Sequence, residues 1–221
     1  MEALLSFGAA LVSLRLAGAL AARWRAGRAP AFAGWACALL AYALASGALA
    51  WGSAHGWDAR TFRAYYLFGG LLTAPLLGAG SLLFAGKRWA APVALLYTGL
   101  AVGVMVAVPI HGTFAGTGIP TAQAHLDFLP ARLLAVLGNT VGTVAVVVVA
   151  LAGIRRRPLG NALILAGVGV AALGSALAGL GEAGTALCIA AAAVLLYLGF
   201  VAPTPSLDRR VASEGSASVP G

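Results

Sequence analysis

Charge is what this chain has least of. Only 9% of its 221 residues are charged, against roughly 25% in soluble domains. Acids are scarcest, with six Asp and Glu against fourteen Lys and Arg. A chain so poor in charge does not meet water over most of its length. Two cysteines, Cys37 and Cys188, exclude a disulfide framework. Their depths in the apolar runs described below differ by more than a disulfide spans. The sole lysine, Lys87, lies between apolar runs, which excludes a retinal Schiff base. All three histidines fall at run edges or in loops, which argues against haem ligation within a span. Leu187 to Phe200 holds no histidine pair of the kind seven-helix zinc hydrolases use.

What is present is apolar. The chain is 61% hydrophobic, with a mean hydropathy of +0.95. Seven runs approach the ~20 residues that cross a bilayer as a helix: 3–22, 31–51, 63–85, 90–110, 131–154, 159–180 and 184–202. Unbroken stretches such as Val144 to Leu151 lack the alternation of a membrane β-barrel. The expectation is an all-α membrane protein. Residues 1–202 form a seven-helix bundle, and 203–221, rich in Ser and Pro, form a disordered cytoplasmic tail. The first run opens on Glu2 and its positive charges follow it, so it reads as a retained helix rather than a signal peptide.

The basic residues cluster at Arg23/Arg25/Arg28, Lys87/Arg88, Arg155/Arg156/Arg157 and Arg209/Arg210. Lys and Arg concentrate in short cytoplasmic loops. This places the N-terminus outside and the C-terminus in the cytoplasm; the preference for Arg over Lys, 13 to 1, and the richness in Ala and Gly fit a high-GC genome, so the expected location is a bacterial inner membrane. Ten basic residues then lie inside, and Arg60, Arg63 and Arg132 lie outside with Glu2, Asp58, Asp127 and Glu182. Trp24 and Trp89 mark the inner interface; Trp51, Trp57, Tyr65 and Tyr66 mark the outer one. The net charge of +8 is thereby a topology signal and implies no nucleic acid.

Small residues four apart mark close helix contacts in lipid. Such stripes are Gly70/Ala74/Gly78, Gly99/Gly103, Gly138/Gly142 and Gly167/Ala171/Ser175/Gly179. Pro75 sits in the middle of the third run, where it frees a carbonyl and makes either a static kink or a hinge. The first and fifth runs are each followed by a basic loop ending in Pro, which hints at a parallel repeat with the fourth run as linker.

Few residues inside the runs carry chemistry. Arg15 lies eight residues from Arg23, about 12 Å along a helix. A charge at that depth is costly. It either snorkels to headgroups or points into the bundle and binds an anionic group. Tyr42 and Tyr97 fall near its depth, and Asn139 and Thr143 share a face of the fifth run. These five are the candidate lining of a cavity that binds a small molecule or lipid; the same polar groups also suit plain helix–helix hydrogen bonds. A second set, His111, His125, Asp127 and Glu182, gathers on the outer side. It lacks diagnostic metal-ligand spacing, so neither a metal nor a cofactor is expected. Asp127 could cap the fifth helix, and the loop from His111 to Leu129 is either a lid or a flexible connection.

Arg63-Ala-Tyr65-Tyr66-Leu67-Phe68-Gly69 before Pro75, and Gly160-Asn161-Ala162-Leu163-Ile164 leading to Gly181-Glu182, resemble segments of uncharacterised seven-helix integral membrane proteins of high-GC bacteria. The likeness covers about half the chain and implies no activity. The expected function is a small transporter or carrier with an outward-open polar cavity. The alternatives are a membrane enzyme with a His/carboxylate site on its outer face, and a structural or sensory subunit with a membrane protein partner or a second copy.

Overall fold

The computed structural model describes residues 2–177 and 182–202. Among them the chain is helical, with no strand. Helices α1 (Glu2–Gly27) and α2 (Pro30–His55) form a hairpin. Next come α3 (Ala59–Tyr65), a wider π-helical stretch (Tyr66–Leu72) and α4 (Thr73–Phe84), stacked as one rod. Then follow α5 (Ala90–Ala107), the short α6 (Ala122–His125), α7 (Leu133–Ala152), α8 (Pro158–Leu177) and α9 (Glu182–Val201).

Local chemistry sets the ends. Pro30 opens α2 where a missing N–H costs nothing. Asp58 caps α3, its Oδ1 accepting from the Thr61 amide at 2.7 Å. Val108 is extended (φ −69°, ψ 131°) and ends α5, because Pro109 disfavours helix at the residue before it. The fourth run, expected to 110, therefore stops at Ala107. Conversely, α1 continues to Gly27, so Arg23 and Arg25 stand on helix rather than in a loop. Only residues 28–29 turn the chain into α2, and Arg28 takes a left-handed φ of 54° to do so. Asp127, expected to cap the fifth run, makes no cap hydrogen bond. Its carboxylate is drawn instead to His111 Nε2 at 3.1 Å.

Five helices are long and apolar enough to cross a membrane: Ala3–Gly27, Pro30–His55, Ala59–Phe84, Ala90–Ala107 and Phe128–Ala152. Seven runs were expected. Among the described residues the last two contribute the shorter apolar stretches Pro158–Ala171 and Ala190–Val201. Length and composition are those of a membrane protein.

Side by side, the helices run from α1 to α2, α4, α7, α8 and α9, and α9 returns to α1. α5 lies outside this ring, against α4 and the π-helical stretch. The α1–α2 and α8–α9 hairpins pack along much of their length, whereas α7 and α8 touch sparingly. This pairing does not follow the sequence likeness, which matched the first two runs to the fifth and sixth.

Two expected small-residue stripes meet each other. A Cβ on Gly78 would lie 2.7 Å from Gly142 Cα, and one on Gly142 would lie 2.3 Å from the Ala74 carbonyl oxygen. On α8, Gly167 lies against Leu196 of α9. By contrast, Gly99 and Gly103 of α5 face open space. One buried aromatic group escaped the sequence reading. Trp35 stacks on Phe200 at 4.0 Å, and its indole N–H points to Ser81 Oγ at 3.4 Å. Gly80 makes room for it, since a Cβ there would meet the indole at 2.4 Å.

These contacts predict opposite outcomes for one chemical change. Gly142→Ala forces α4 and α7 apart and is expected to cost roughly 1–3 kcal/mol. Gly99→Ala meets nothing and is expected to be neutral or stabilising by up to about 1 kcal/mol. Thermal unfolding of the two variants in detergent measures the contrast.

Candidate ligand cavity

A cavity of about 490 Å³ lies inside the ring. Its walls come from α2 (Tyr42, Ser46), the rod through α3 and α4 (Tyr65, Tyr66, Thr73) and α7 (Asn139, Thr143), with apolar surface from Val168 of α8 and Leu196 of α9. Ile119, Pro120 and Ala122 of the long loop close one end. Three of the five residues singled out from sequence, Tyr42, Asn139 and Thr143, therefore share one cavity.

Tyr97 and Arg15 are not on its walls. Tyr97 reaches past α4 from the outside, and its hydroxyl lies 3.0 Å from the Leu71 carbonyl and 3.2 Å from that of Leu134. The reason is Pro75. Lacking an N–H, it leaves without a donor the carbonyl four residues back, Leu71, or in a π-helical register the one five back, Gly70. Both carbonyls are met by side chains. Tyr97 donates to Leu71, and Asn139 Nδ2 donates to Gly70 at 2.9 Å. Thr73 adds a third such bond, to the Phe68 carbonyl at 2.8 Å. Gly138 is small because a Cβ would lie 2.1 Å from the Tyr97 hydroxyl. Asn139 thus serves two structures: its amide nitrogen holds the broken turn, and the residue lines the cavity.

Arg15 is exposed on the outer face of α1, beside the exposed Leu11 and Leu14. The buried face of α1 is instead Ser13, Ala17 and Leu20. Of the two alternatives for Arg15 this removes the one that points it into the bundle and leaves the one that reaches for headgroups; Gly8 and Gly18 on α1 also have open space around them. Cys37 is exposed as well.

Two other arginines are bound to the fold. Arg63 donates to the carbonyls of Met105 and Val108, the latter at 2.8 Å, at the C-terminal end of α5. Arg157 donates to those of Gly199 and Ala202, at 3.3 and 2.5 Å, at the end of α9. Its guanidinium also sits 5.0 Å from the centre of the Phe84 ring. Cations at carbonyl-rich helix ends are favoured by the helix dipole. Sequence reading treated Arg157 as a charge marker alone; its signal was its place just before Pro158, at a helix start.

The outer-side set separates. His125 is buried, stacks on Phe114 at 4.2 Å, and donates from Nδ1 to the His111 carbonyl at 2.9 Å. The His111 amide returns a bond to the His125 carbonyl at 3.0 Å. His111 and Asp127 form an exposed pair. Glu182 opens α9, and its side chain lies outside the described residues. Among the described residues no group of three His, Cys, Asp or Glu could hold a metal ion. The loop is pinned at another point by Trp57, whose indole N–H donates to the Thr117 carbonyl at 3.1 Å. Trp57 was expected as an interface marker, but it is buried, and Gly52 is small to admit its ring.

No protein-family model matches the sequence, and no curated protein or solved structure matches it significantly.

Tyrosine substitutions separate support of the fold from cavity lining. Tyr97→Phe strips the donor from Leu71 and is expected to lower stability by about 1–3 kcal/mol. Tyr42→Phe removes a hydroxyl that has no hydrogen-bond partner among the described residues, and is expected to leave stability unchanged. Unfolding in increasing denaturant distinguishes the two.

Proposed function

We propose that this chain is a polytopic inner-membrane protein of bacterial type that carries a small solute through the cavity bounded by Tyr42, Asn139 and Thr143. All seven apolar runs span in this reading, with the N-terminus outside and the C-terminus in the cytoplasm. Support for the orientation comes from the charges. Arg23, Arg25, Arg28, Lys87, Arg88 and Arg155 to Arg157 gather at one end of the bundle. The other end holds Asp58 and Asp127 with fewer bases. The positive end belongs in the cytoplasm. The cavity then lies under the outer loop, with Ile119 and Pro120 between it and the outside.

The observation that carries the reading is the cavity itself. Its size falls in the range of small-molecule sites, ~300–1,000 Å³, and polar side chains from three helices converge on it. An enzyme on the outer face is less well supported, because His125 serves the loop's own fold and, among the described residues, only His111 and Asp127 pair.

Two experiments test this. Orientation predicts that Thr117→Cys reacts with an impermeant thiol reagent from outside intact cells while Ala85→Cys does not; the reverse pattern would invert the topology. Transport predicts that proteoliposomes loaded with a metabolite extract release at least one solute faster than protein-free liposomes loaded with the same extract. Thr143→Trp, which fills the cavity, should reduce that release at least tenfold. Equal release by the variant would remove the cavity from the pathway.

A further inference from the structure

The walls of the cavity say what kind of molecule suits it. Among the described residues they include no Asp, Glu, Lys, Arg or His. A charged solute would lose its hydration there and find no countercharge, a penalty of several kcal/mol or more. The walls are nevertheless not purely apolar. The hydroxyls of Tyr42, Tyr65, Tyr66 and Thr143 and the oxygen of Asn139 have no hydrogen-bond partner among the described residues. Open to the cavity, they can take hydrogen bonds from water or from a bound molecule that replaces it.

These groups are also sorted by depth. α7 runs inward from the loop end, so Asn139 comes first, Thr143 next and Val146 last. Asn139 and Val146 are seven residues apart, about 10 Å along the helix. Tyr65 and Tyr66 lie at the loop end of the adjacent rod, and Leu77 lies three turns deeper. The cavity therefore has a hydrogen-bonding upper half under Pro120 and a mainly apolar floor where Leu77, Val146 and Leu196 meet, with Tyr42, deeper on α2 than Ser46, as the polar side chain packed beside it.

Building on the carrier reading above, we infer that the ligand is an uncharged amphiphile. It has an apolar body of medium length and a hydroxyl or carbonyl at one end. The apolar end lies on the floor, and the polar end exchanges hydrogen bonds with Tyr65, Tyr66 and Asn139.

Photolabelling of the full-length protein in nanodiscs tests this without any transport assay. The probes are an eight-carbon alcohol carrying a diazirine near its far end, its sulfate ester and its trimethylammonium analogue. The alcohol is expected to label floor residues Leu77, Val146 or Leu196, and both charged probes to label them at least tenfold less. Thr143→Trp should abolish floor labelling by the alcohol. Tyr65→Phe/Tyr66→Phe preserves the cavity's shape and should weaken floor labelling by the alcohol at least fivefold, while leaving that by the matching alkane unchanged. Equal floor labelling by a charged probe would overturn the inference, as would alcohol labelling confined to outward residues such as Leu95 and Leu96 on α5. A protein that binds the alcohol on the floor but releases no solute from proteoliposomes would keep this ligand class and lose the carrier function.

Discussion

A backbone carbonyl that loses its donor inside a bundle of apolar helices has no water to turn to. Much of the polar side-chain placement in this protein answers that single constraint. Pro75 interrupts the third rod, and Tyr97 and Asn139 arrive from two different helices to serve Leu71 and Gly70. The ends of α5 and α9 expose carbonyls, and Arg63 and Arg157 cover them. The outer loop lacks regular structure over most of its length, and Trp57 and His125 bond its carbonyls at Thr117 and His111. In each case a polar side chain is used to satisfy the protein's own backbone.

The same bonds create the cavity. The π-helical stretch Tyr66–Leu72 widens the rod just above Pro75 and carries Tyr66, Gly69 and Gly70 to the cavity wall. Below it, α4 and α7 close together wherever Gly78 and Gly142 let the backbones approach. Close contact lower down and a widened turn above leave space between α2, α7 and the far helices. Tyr97, wedged against Gly138 and Pro75, keeps α5 attached at this same level. Cavity and crossing are therefore one construction.

Much of this was legible in the sequence, for physical reasons that differ from residue to residue. The apolar runs gave the helices, and their ends moved only where a local signal was underweighted, as at Val108 before Pro109 or at the two-residue turn after Gly27. The Gly78 and Gly142 stripes were visible because close packing requires small residues. Gly99 and Gly103 look identical in sequence yet face open space, since spacing alone does not say whether a partner is there. Asn139 and Thr143 were found by their shared face. Arg15 stood between a headgroup and a cavity role because α1 is rich in small residues on more than one side, so its inner face could not be chosen from composition; its exposed position removes the cavity role. Trp57 and His125 read as surface residues because a loop gives no periodicity from which to infer burial.

The absence of charge on the described cavity walls has an electrical meaning. A transmembrane field does work on a group only in proportion to the charge it carries, about 2.3 kcal/mol per elementary charge per 100 mV. Tyrosine, threonine and asparagine side chains offer the field only their dipoles. A rearrangement that opened this cavity to one side and then the other would shift no net charge from these walls. With an uncharged occupant, such a cycle would run down a concentration gradient and be indifferent to membrane voltage.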